Sequence, residues 1–160
     1  MNPSIHRSGL SVATFLMTLA LTALPGSAAR SQDYKIVEGL AVYLGVLPAA
    51  MTRGHRETHP ESTMHGGTPS GRHVYHVMVA IFEDASGKRI GDAEVKAQVS
   101  GVGLIGSWKT LEPMQIAGTV TYGNYFALPG RDVYRIRVEM HRPGAPEPLR
   151  ADFVYEHRLR

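Results

Sequence analysis

The chain has no cysteine. That excludes disulfides, thiolate metal ligands and a cysteine nucleophile, so an exported form would hold together by packing alone. Long apolar runs are scarce as well. The longest, Leu10 to Leu24, has 15 residues, short of the ~20 that a membrane-spanning helix needs. Blocks of like charge are absent. The 17 basic and 14 acidic residues are scattered and leave a net charge of +3, so no basic footprint for nucleic acid is visible. There is no G-x-S-x-G turn, no glycine-rich loop opening a helix and no acid–base pair of catalytic spacing. These absences argue against turnover chemistry and for a binding role.

What is present begins with a leader. Arg7 supplies a positive start, Leu10–Leu24 an apolar centre, Pro25 and Gly26 a break, and Ser27-Ala28-Ala29 the small residues that signal peptidase reads. Cleavage after Ala29 is expected. Residues 30–160 then form a single domain outside the cytoplasm, periplasmic or secreted, with no membrane span.

That remainder reads as strands. "YKIVEGLAVYLGVLP" is apolar and β-branched and predicts a strand over Lys35–Val46. "RHVYHVMVAIFED" is apolar on both faces. In "DAEVKAQVSG", Ala93, Val95, Ala97 and Val99 alternate with Glu94, Lys96 and Gln98. Shorter runs lie near Trp108 and in "GTVTYGNYFALPG". "DVYRIRVEMHR" puts Tyr134, Ile136, Val138 and Met140 on one face, and "LRADFVYEHR" closes the domain. About seven short strands with turn signals between them predict an all-β fold, an immunoglobulin-like antiparallel β-sandwich. Tyr134 stands just after the "LPGR" turn and two residues before a core position, where such folds tie a corner with a tyrosine hydroxyl.

One segment stands apart. "MTRGHRETHPESTMHGGTPSGRHVYHVM", Met51–Met78, holds five of the eight histidines and three of the seven methionines. Most of it, about residues 48–72, is Gly/Pro/Ser/Thr-rich and predicts a long loop; loops of this length are usually functional or disordered. Imidazole suits copper, iron and zinc, whereas thioether selects soft Cu(I). His76 and Met78 are two apart on one predicted strand and so share a face. The candidate metal ligands are His76, Met78 and Met114 as a rigid half, with His73, His65, Met64, His59 and His55 as partners from the loop. Copper, as Cu(I) or Cu(II), is the favoured ion and iron the alternative. The expected work is storage, transfer or assembly of the metal, with a metal donor or acceptor protein as partner. A different class of function stays open, an interaction module that uses a sheet edge or the long loop and no metal.

Two resemblances accompany this reading. "VYHVMVAIFEDASGKRIGDAEVKAQVSG", with Asp84, Gly87, Ile90, Asp92, Ala93 and Val95, resembles the core of YtkA-like and FixH-like extracytoplasmic domains. That resemblance implies an immunoglobulin-like sandwich, in some relatives within copper or cytochrome oxidase assembly. In order of motifs, "EGLAVYLGVLPAAM" and "EPMQIAGTVTYGNYFALPG" are similar to periplasmic iron- and copper-binding proteins of ferrous-iron uptake systems. The resemblance places Met114 at their methionine ligand and His73 or His76 at their first histidine. Thr121 occupies the place of a further histidine, and no acid stands two residues after His73 or His76. On that pattern the Met51–His65 loop has to supply the missing ligands.

Overall fold

The computed structural model describes residues 33–52, 67–116, 118–130 and 132–157. The leader and the calls on His55, His59, Met64 and His65 lie outside the described residues.

Among the described residues there are eight strands rather than seven: β1 (Tyr34–Val37), β2 (Leu40–Pro48), β3 (Val74–Glu83), β4 (Glu94–Ser100), β5 (Trp108–Ile116), β6 (Thr119–Ala127), β7 (Asp132–His141) and β8 (Leu149–His157). A four-residue helix, α1 (Ala49–Thr52), follows β2. The extra strand comes from splitting the expected Lys35–Val46 run. Glu38 and Gly39 both take positive φ, 46° and 78°, which reverses the chain so that β1 folds back on β2. Glycine meets that conformation at no steric cost.

All strand pairings are antiparallel, in the order β1-β2-β3-β6-β5-β4-β7-β8. β5 is the hinge of the architecture. Its first half pairs with β4, from Trp108 to Leu111. Its second half, from Glu112 onward, pairs with β6. No residue of β5 pairs on both sides, so the strand carries the chain from one half of the sheet to the other. The pairing runs on through β5 into one sheet, and the end strands β1 and β8 approach each other, with Lys35 Nζ 5.8 Å from the centre of the Phe153 ring. The all-β, antiparallel expectation holds. The seven-stranded immunoglobulin-like sandwich is not reproduced strand for strand: the described residues form an eight-stranded sheet curled nearly into a barrel, which leaves few unpaired strand edges.

The inside of the curl is the core. Alternation delivers Val77, Val79 and Ile81 from β3, Val95, Ala97 and Val99 from β4, and Tyr134, Ile136, Val138 and Met140 from β7, in the parity read from the sequence for β4 and β7. One end is closed by an aromatic network. The Tyr134 hydroxyl donates to the carbonyl of Pro129, the corner tie expected for that residue. His157 is buried beside it. A carbonyl can only accept, so Nδ1–H of His157 donates to Gly130 O at 2.5 Å. In the neutral ring Nε2 is then the acceptor for the Tyr75 hydroxyl, 2.6 Å away.

Candidate metal centre

β3 has two faces. Tyr75, Val77, Val79 and Ile81 look into the core, and His76, Met78, Ala80 and Phe82 look outward. An outward histidine is normally wet, yet His76 is only 1% exposed. The Tyr125 ring stacks on it, centroids 4.7 Å apart at 27°. The buried Ala49 belongs to α1, which packs on β3. The Tyr125 hydroxyl reaches Thr68 Oγ1 at 3.4 Å, tying the segment that enters β3 across this face. Met114, on β5, is equally sealed at 1% exposure and lies outside the main core cluster.

Register brings these residues into one row. Leu47 pairs with His76 and Gly45 with Met78. Across β3, His76 pairs with Tyr125 and Met78 with Gly123. Gly123 pairs in turn with Glu112, and Met114 with Thr121. The row has a hollow at Gly123. A Cβ there would stand 2.6 Å from His76 Nε2, 2.7 Å from Met114 Cε and 3.2 Å from Met114 Sδ. A nitrogen donor and a sulfur donor from strands far apart in sequence therefore converge on one small volume that only glycine leaves open.

The remaining candidates fall out differently. Met78 shares the face, but its methyl lies over Gly45, 3.4 Å from where a Cβ on that residue would be. His73 precedes β3, and alternation sets it at the parity of Tyr75 rather than of His76. Its Nδ1 is buried without a hydrogen-bond partner among the described residues, and its carbonyl accepts from Leu128 N. Thr121 serves the scaffold: its hydroxyl accepts from Arg89 Nη2 at 2.6 Å. Burial of Arg89 pushes its pKa down. Among the described residues no three histidine, aspartate or glutamate side chains gather tightly enough to hold an ion; the pair that does converge is one imidazole nitrogen and one thioether sulfur.

Three residues of the site escaped the sequence reading. Glu112 lies two residues before Met114 on β5 and is the register partner of Gly123; the spacing of two was the available signal. Gly123, inside a strand pattern, signalled a close approach. Nothing local marked Tyr125 as the cover of His76. A shallow aromatic groove of about 540 Å³, with Tyr34, Tyr43, Phe82 and Arg89 in its lining, lies further along β2 and β3 and includes none of His76, Met78 or Met114.

The fold defines a class of curled, antiparallel, all-β proteins. No family model matches the chain, and no curated protein matches it in sequence. Solved structures do share its fold. A DUF4426 family protein from Pseudomonas aeruginosa PAO1 aligns with a TM-score of 0.55 at 15% identity, over 78% of this chain and 94% of that one. FetP of uropathogenic Escherichia coli, expressed in the periplasm and taken as isolated, aligns with a TM-score of 0.60 at 13% identity, over 78% and 92%. A copper-bound FetP variant aligns with a TM-score of 0.59 at 11% identity, over 78% and 93%. The FetP likeness agrees with the second resemblance in fold. The YtkA-like resemblance finds no counterpart among these structures.

Proposed function

We propose that the chain is an exported protein that binds copper and passes it on, without turnover chemistry of its own. The observation that carries this reading is the convergence of His76 Nε2 and Met114 Sδ over Gly123. Imidazole with thioether is a soft-to-borderline donor set that suits copper above zinc or magnesium. Burial adds a preference of charge. The cost of taking an ion out of water grows with the square of its charge, so a monovalent ion costs about a quarter of a divalent one. Both donors are sealed from solvent and neither can carry negative charge, which favours Cu(I). Glu112, exposed at the edge of the row, is the group to compensate Cu(II) or Fe(II). The copper-bound FetP variant, which has the same fold, supports the choice of metal. A leader at residues 1–29 and the absence, among the described residues, of any helix long and apolar enough to cross a membrane fit export. The partner would be a metal donor or acceptor protein.

The test is a Cu(I) titration in competition with a chromogenic chelator. The wild-type chain is expected to take up one equivalent. His76→Ala and Met114→Leu should each weaken uptake by roughly tenfold or more, the loss of one ligand bond. Equal uptake by all three proteins, or none by the wild type, would sink the reading and leave the interaction module in its place.

A further inference from the structure

The groove of about 540 Å³ on the outer face of β1, β2 and β3 lies apart from the candidate metal centre. Register builds it. Tyr34 pairs with Tyr43, Tyr43 with Ala80, and Ala41 with Phe82. Tyr43 and Phe82 thus each face an alanine across the ladder. Ala41 and Ala80 line the groove, and their small side chains leave a hollow between the rings. The rings do not form one plane. Tyr34 lies 4.6 Å from Tyr43 at 38°, and Tyr43 lies 5.6 Å from Phe82 at 85°. They make a corner, and it is open: Tyr34 and Tyr43 stay 38% and 46% exposed.

The charges around the corner favour a guest of one sign. A ring face is negative through its quadrupole, and the protein already uses one such face here. The Arg89 guanidinium lies over Phe82, 4.5 Å from the ring centre. It is fixed there by donating to Val120 O and Thr121 Oγ1, each at 2.6 Å. Lys35 lies over Phe153 instead, and Lys88 is outside the lining, so Arg89 is the one cation that lines the groove among the described residues. Two acids line it, Glu83 and Asp84. Glu83 accepts from Ser86 Oγ at 2.8 Å and pairs with Arg142 at 3.7 Å. Asp84 has no ion-pair or side-chain hydrogen-bond partner among the described residues. Desolvation first, and then Tyr43 and Asp84, push the pKa of the Tyr34 phenol above its usual value. The part due to Asp84 marks a negative field at the Tyr34 end of the corner, away from Arg89.

We propose that this corner is a binding site for a small organic cation with a methylated ammonium head. The head would rest in the hollow over Ala41 and Ala80, against the faces of Tyr34 and Tyr43, with Asp84 balancing its charge. The rings offer faces and few acceptors, so a head with no N–H to satisfy suits them better than a primary ammonium does. An anion would meet ring faces and an uncompensated carboxylate. A sugar is a flat guest that asks for one broad platform, whereas rings at 38° and 85° surround a rounded one. The site shares no residue with the copper reading and does not depend on it.

The probe is choline, followed through its methyl proton resonance as protein is added. Ring currents move a methyl that sits on a ring face upfield, so the shift reports contact with the corner itself. A saturable upfield shift, in the millimolar range, is the expected result. The uncharged analogue of choline, with carbon in place of nitrogen, has the same shape and should bind roughly tenfold more weakly. Tyr43→Leu keeps an apolar side chain at a half-exposed position and should weaken choline binding by roughly fivefold. Asp84→Asn should weaken it by roughly threefold, and this loss should shrink in high salt. Circular dichroism of both variants is expected to match the wild type. Equal binding of choline and its carbon analogue overturns the proposal, because the corner would then be a hydrophobic hollow only. A shift that rises linearly without saturating overturns it, as does wild-type affinity in a folded Tyr43→Leu protein. Saturable binding of glucose in place of choline also overturns it, since the rings would then serve as a sugar platform.

Discussion

At the scale of single residues, the site turns on a side chain that is missing. Gly123 leaves open the volume on which His76 Nε2 and Met114 Sδ converge. Gly123→Ala would put a carbon 2.6 Å from that nitrogen, a distance that forces the ring or the methionine aside. We expect Gly123→Ala to abolish copper uptake in the competition titration while costing about 1–3 kcal/mol in urea unfolding, the usual scale for overpacking. His76 was legible as a ligand candidate because its spacing of two from Met78 sets both on one face. Its seal against water was not legible, because Tyr125, whose ring stacks on it, comes from a strand far away in sequence. Met78 shows the limit of parity: it reaches the right face, and its methyl then turns toward Gly45 on the neighbouring strand.

At the scale of elements, alternation carried β4 and β7 from sequence to structure residue by residue. It failed at the start of β1 and β2, where an apolar run concealed a reversal at Glu38-Gly39. The Gly39 φ of 78° lies in the left-handed region, and a Cβ there would meet nothing within 4 Å. The cost of Gly39→Ala is therefore backbone strain alone, about 1–2 kcal/mol. It should appear as a lower urea midpoint with an unchanged m-value. A larger loss, or a changed m-value, would mean that β1 detaches. β5 was the other element that local pattern understated. Its change of partner from β4 to β6 at Glu112 joins the two halves of the curled sheet, and Pro113, which has no N–H to give a ladder, was its one local sign in "WKTLEPMQI".

At the scale of the whole molecule, the core is studded with tyrosines whose hydroxyls work. Tyr122 accepts from Ala93 N at 3.0 Å, and Tyr134 holds the corner. Burial raises the pKa of Tyr122, Tyr134 and Tyr155 above the usual tyrosine value. The folded value exceeds the unfolded one, so their contribution to stability is complete below about pH 10. It is lost as pH rises through the folded values. Urea midpoints measured from pH 8 to pH 11 should be flat at first and then fall. Tyr122→Phe should start lower at pH 8, since Ala93 N loses its acceptor, and should fall less steeply above pH 10. An equal slope in the variant would assign the alkaline loss to other groups.

The sequence by itself determined most of the strands, their faces, the tyrosine corner and the residue types at the candidate site. Each of these follows from local chemistry: the period of two in β structure, turn residues at reversals, and the donor atoms a side chain carries. Only the tertiary structure decided that one sheet curls on itself, that Met114 meets His76 across β6, and that the rings of Tyr34, Tyr43 and Phe82 form a corner on the outer face. Those outcomes depend on which strands become neighbours and in what register. That choice is made by the packing of distant residues and leaves no mark in any short stretch of chain.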